Sequence, residues 1–111
     1  MIRLTAIPRK ASDLYLLLMQ KERALRSKGQ GTLHRSGAKR AGVVRWKHRT
    51  YAGSIRLQRC VGGTVAAVIQ TRNPNDQWQP LTSVIGFLDR HFREQIASIT
   101  ITYEQVVRPR K

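Results

Sequence analysis

The chain has 111 residues, with 21 Lys and Arg against 6 Asp and Glu, for a formal net charge of +15 with His neutral. That length fits one compact domain and leaves little room for a second core. Apolar residues make up 41%, too many for a disordered polycation, while the longest apolar run, from Leu14 to Met19, falls far short of the roughly twenty residues of a membrane span.

Arg3, Arg9 and Lys10 precede that run, but charged residues follow it where a secretion signal would carry small residues for cleavage. The single Cys60 has no partner for a disulfide or a zinc cluster. Together these features point to a cytoplasmic protein with no membrane attachment.

Residues 1–7 place Ile2, Leu4 and Ala6 on one side and Arg3 and Thr5 on the other, which predicts a half-buried strand stopped by Pro8. From 11 to about 27, Ala11, Leu14, Leu18 and Leu25 recur at helical spacing. Ser12 is the expected cap and Gly29 the expected end. Residues 28–42 hold four Gly together with Lys28, Arg35, Lys39 and Arg40, and read as a mobile basic loop.

Residues 43–49 read as a strand or an extended arm, with Arg45, Lys47 and Arg49 on one side and Val44, Trp46 and His48 on the other. Two β-rich runs, 51–60 and 64–72, joined by Val61, Gly62 and Gly63, predict a hairpin. After the turn cluster at 73–76, Pro80 suits a first helical turn, and Leu81, Ile85, Leu88 and Phe92 predict a helix over about 80–95. A last strand alternates Ile99, Ile101 and Tyr103 with Ser98, Thr100 and Thr102. Residues 108–111 read as a solvated basic tail, leaving 1–107 as the domain.

This order predicts an α+β fold, an antiparallel sheet of four to five strands with two helices on one face. The ferredoxin-like split β-α-β sandwich is the arrangement it matches. Without the first strand, a three-stranded meander between two helices and an edge strand would remain.

Charge falls unevenly. Between positions 21 and 59 there are 12 Lys and Arg and one acid, Glu22, so this stretch carries +11 of the total. Such a run repels itself and attracts phosphate by releasing condensed counterions, which makes RNA or DNA the first partner to consider. The outward strand positions, Arg3, Thr5, Arg56, Gln58, Gln70, Arg72, Thr100 and Thr102, add a carboxylate-free sheet face. Trp46 and Tyr51 sit among the cations and are candidates for base stacking, although Trp46 beside Val44 better suits a core anchor, since large aromatics are mostly buried. The expected nucleic-acid contacts are therefore Arg35, Lys39, Arg40, Arg45, Trp46, Lys47, Arg49, Tyr51, Arg56 and Arg72. The aromatic sheet signature of RNA-recognition modules is absent from the candidate strands.

Catalysis is the second reading. The Gly-rich stretch lacks phosphate-loop spacing, and Asp89, His91 and Glu94 form a poor metal set, better explained by i,i+4 ion pairs of Asp89 with Arg93 and Arg90 with Glu94. Neither a metal nor a cofactor is expected. A metal-independent ribonuclease of toxin type would use His34, His48 and Tyr51, with Arg35, Lys47 and Arg49 stabilising the charged intermediate. An acidic protein partner, a homodimer, or a place in a larger ribonucleoprotein, phage or plasmid assembly would call for the same basic surface.

Overall fold

The computed structural model describes residues 1–10, 12–37 and 40–104. Ala11, Lys39 and the basic tail at 108–111, all invoked above, lie outside the described residues. The chain forms β1 (Ile2–Pro8), α1 (Leu14–Ser27), β2 (Leu33–Arg35), β3 (Val43–His48), β4 (Ser54–Arg59), β5 (Val65–Gln70), α2 (Trp78–Phe92) and β6 (Ile96–Tyr103). The strands make one sheet in the order β2-β3-β4-β5-β1-β6, and every neighbouring pair is antiparallel.

Six strands replace the expected four to five, because the basic loop contains β2. Three residues are too few to show a period of two, and their pairing is tertiary. Leu33, His34 and Arg35 lie opposite His48, Lys47 and Trp46, and the Arg49 N–H donates to the Thr32 carbonyl at 2.7 Å. From α1, Glu22 reaches His34 Nδ1 at 3.1 Å and Arg26 Nε at 3.6 Å, so a carboxylate only 3% exposed ties helix to strand.

Both helices cover one face. Leu14, Tyr15 and Leu18 of α1, with Leu81, Val84, Phe87, Leu88 and Phe92 of α2, pack on Ile2, Leu4, Ala6, Val44, Trp46, Ile55, Leu57, Val65, Ala67 and Ile69. These are the alternate strand positions that sequence periodicity assigns inward. Tyr103 keeps that parity but is 67% exposed, because the helix cover runs out at the edge strand.

Helix boundaries differ from expectation in two places. Asp13 rather than Ser12 caps α1, its carboxylate accepting from the Leu16 N–H at 3.1 Å and pairing with Arg59 at 3.0 Å. A full charge at a helix N-terminus offsets the helix dipole as well as an orphan N–H. Helix α2 begins at Trp78 and ends at Phe92, since the turn at Pro74–Asp76, capped by Asn73, leads directly into it. Pro80 still sits in the first turn, where no N–H is needed. Val84 and Phe87 take the centre of the buried stripe, and Ile85 lies at its rim.

Candidate nucleic-acid interface

The sheet face away from the helices is uncovered, and its register sorts the cations. On that face Arg45 of β3 stands directly opposite Arg56 of β4, Arg56 opposite Val68 of β5, Val68 opposite Arg3 of β1, and Arg3 opposite Thr102 of β6. One row across five strands therefore carries three guanidinium groups. Val68 lies outside the core cluster yet is only 8% exposed. Its neighbours on that face are Arg3 and Arg56, whose aliphatic stems can cover it while their charged heads stay in water.

The row on the Gln58 side is neutral: Gln58 faces Ala66, which faces Thr5, which faces Thr100. On the other side, Lys47 stands near Ser54 and Gln70. No open-face strand position among the described residues is Phe, Tyr or Trp. Among the described residues the only carboxylate paired with the row is Glu104, 3.2 Å from Arg3.

At the Gln70 end the face deepens into an open cleft of about 760 Å³. Arg45, Lys47 and Arg72 bring cations to it, Ser54, Gln70, Asn73 and Gln77 bring hydrogen-bonding groups, and Asp76 is its one acid. Gly53 shapes this rim. At φ +107°, an added Cβ there would stand 2.6 Å from Thr71 Cγ2 and 2.8 Å from the Gln70 carbonyl oxygen, so β4 can start this close to β5 only with glycine.

Four of the ten sequence-predicted contact residues, Arg45, Lys47, Arg56 and Arg72, thus gather on the open face and its cleft. Of the other described ones, Arg35, Arg40, Trp46, Arg49 and Tyr51, none joins them. Trp46 is 1% exposed and meets Phe87 edge-on at 5.1 Å, so it anchors the core and is unavailable to stack on a base. Arg35 pairs with Trp46 and so takes the helix-side parity. Arg40 is exposed in an isolated bridge to Val43 and lines a groove with Tyr15 and Arg59. Arg49 is exposed beyond the end of β3.

Tyr51 stacks on His48 with ring centroids 4.3 Å apart, beside Arg90 and His91 of α2 in a separate cleft of about 460 Å³. Arg3, an outward position of β1 far in sequence from the basic segment, also belongs to the row.

The proposed catalytic side chains are otherwise engaged. His48 Nδ1 accepts the N–H groups of Thr50 and Tyr51 at 2.9 and 3.0 Å, which leaves the proton on Nε2, and burial holds its pKa below the usual histidine range. His34 directs Nδ1 at Glu22 and Nε2 at the Gly31 carbonyl, both at 3.1 Å. Among the described residues no hydrogen bond joins His34 to His48 or Tyr51. On α2, Asp89 is held by Arg93 through two hydrogen bonds of 3.0 and 2.8 Å, the i,i+4 pair expected there, and that pair lowers the carboxyl pKa.

No helix among the described residues is long and apolar enough to cross a membrane. Comparison of the chain with protein-family models, with characterised proteins and with solved structures returned no match.

Proposed function

We propose that this protein binds nucleic acid through the open face of its sheet, chiefly by contacts to phosphate. One observation carries the reading: Arg45 lies directly across from Arg56 with no acid in register against either, and Arg3, paired with Glu104, stands further along the same row. Like charges facing each other across strands destabilise a sheet, and a polyanion laid along the row reverses the sign of that interaction. Lys47 and Arg72 extend the same field into the cleft, and Gln58, Gln70, Thr5 and Thr100 supply donors and acceptors for sugar or base edges.

With no Phe, Tyr or Trp among the described residues of that face, the contacts position the strand more than they specify its sequence. We read the sheet as a ferredoxin-like split β-α-β sandwich extended by a β2–β3 hairpin, because the order β6-β1-β5-β4 interleaves two β-α-β crossovers. A ribonuclease fits less well. His48 has no free lone pair for a base, and both ring nitrogens of His34 already face oxygen partners.

The test is fluorescence anisotropy of labelled single-stranded RNA, single-stranded DNA and duplex DNA across a salt series, with the probes rerun on a gel. Binding that weakens steeply with salt and leaves the probes intact supports the reading. Cut RNA moves catalysis to first place, and no binding at low salt points to an acidic protein partner. Charge reversal of Lys47, on the face, should cut affinity more than reversal of Arg49, beyond it, with circular dichroism unchanged in both.

A further inference from the structure

The two edges of the sheet differ. β2 is three residues long and carries His34 and Arg35, a short charged edge of the kind that resists further pairing, whereas β6 runs for eight residues with no charged side chain. Among the described residues no strand lies beyond β6.

The direction of its free backbone groups follows from one bond. The Glu104 N–H donates to the Met1 carbonyl at 3.0 Å, and the register continues as Ile2 with Tyr103, Arg3 with Thr102 and Leu4 with Ile101. Hydrogen-bonded and non-hydrogen-bonded pairs alternate along an antiparallel ladder. Thr102 and Thr100 therefore bond inward to β1, while Ile99, Ile101 and Tyr103 turn their N–H and C=O groups to the outer edge. These same three residues carry their side chains on the helix side, in register with Ala6, Leu4 and Ile2.

A strand that pairs with this edge must therefore present apolar side chains at its own outward-bonding positions and tolerate small polar ones between. β6 meets both conditions itself. We propose that two copies of this chain pair β6 to β6, antiparallel, about a two-fold axis at Ile101. Ile101 then faces its counterpart, Ile99 faces Tyr103 of the second copy on the helix side, and Thr100 faces Thr102 of the second copy on the open side.

Charge selects the same occupant. A chain of +15 repels its own copy, and a neutral strand remote from Arg45 and Arg56 in the sheet order is where two copies approach at least cost. A charged peptide would find no countercharge on β6. The pairing also covers Tyr103, now 67% exposed, and Ile99 and Ile101, now half-buried. It does not depend on nucleic-acid binding, although it would join the two open faces into one surface.

Edge pairing buries less than a standard interface of about 1,600 Å², so the expected product is a concentration-dependent dimer. Sedimentation equilibrium of the full chain from about 1 µM to 1 mM spans the relevant range. The double variant Thr100→Lys, Thr102→Lys sets two Lys–Lys pairs across the interface and should weaken the dimer by a factor of about 2 to 30. Both side chains are exposed, and circular dichroism checks that the fold persists.

Thr100→Lys with Thr102→Glu sets Lys against Glu and should keep the dimer. Ile101→Cys in a Cys60→Ser background should oxidise to a covalent dimer, since paired Cα atoms about 5.5 Å apart suit a disulfide. A wild-type chain that stays monomeric throughout, or a dimer undiminished in the Lys/Lys variant, overturns the proposal. Loss of the dimer in the Lys/Glu variant overturns the register.

Discussion

Replacing Arg45 and Arg56 by Gln should move binding and stability in opposite directions. Arg45, Lys47, Arg56 and Arg72, with Arg3 beside Glu104, are the cations of the open face and cleft. If each of the five neutralises one phosphate, the log–log slope of affinity against salt is about 3.5–4.5, and removing two of them lowers it by about 1.4–1.8. Folding should respond the other way. The double variant abolishes a like-charge pair across β3 and β4, and pairs of this kind cost about 0.2–1 kcal/mol, toward the lower end at an exposed face in salt. Urea unfolding should show stability equal to or slightly above wild type.

Arg56→Glu sharpens the contrast, since it sets an acid opposite Arg45 and should stabilise the fold while weakening binding further. The assays are anisotropy over a salt series and urea titration, run on the same preparations. An unchanged salt slope with intact circular dichroism would remove the row from the interface. A stability loss above about 1 kcal/mol would mean that the two guanidinium groups support the fold, and the inference from their juxtaposition would fail.

Leu88→Ala, at a side chain 3% exposed between α2 and the sheet, should cost about 2–5 kcal/mol by urea unfolding; a loss below about 0.5 kcal/mol would mean the helix face is misassigned. Gly53→Ala should destabilise by about 1 kcal/mol or more, because it needs a positive φ and collides with Thr71 and Gln70, and it should perturb NMR shifts of cleft residues before those of β6. Burial lowers the pKa of both His48 and His91, so the unfolded chain binds protons first as pH falls below about 6.5. Stability should therefore fall with acid through that range, and His48→Gln with His91→Gln should flatten the profile there. Asp89, its pKa lowered by Arg93, adds a further loss below about pH 3.8.

Period-two alternation exposed much of the fold. Ile2, Leu4 and Ala6, Val44 and Trp46, Ile55 and Leu57, and Val65, Ala67 and Ile69 all read inward in sequence and pack inward in the structure. The strand it missed, β2, was hidden for a physical reason. Three residues among four glycines hold no period, and β2 exists because β3 and Glu22 of α1 offer it partners. Aromatic placement was legible only in part, since a Trp between cations suits a core anchor better than a stacking platform but either stays open until Phe87 is known to lie beside it.

The candidate site was less legible than the fold, because charge counted along a chain does not say which charges share a surface. The run from 21 to 59 is dispersed on folding. Arg26 pairs with Glu22, Arg59 lies over the Tyr15 ring and pairs with Asp13, Arg35 takes the helix side, and Arg40 stands at a separate groove. What brings Arg45 and Arg56 face to face is the β3–β4 register, and what adds Arg3 is the β1–β5 pairing, a contact between the start of the chain and its middle. A one-residue slip in either ladder would turn these cations toward the helices, where burial without partners would be prohibitive. The same core that fixes the register through Ile55, Ile69 and Ile2 therefore fixes the row of cations on the other face. Substitutions that loosen that core should weaken ligand binding without touching a charged residue.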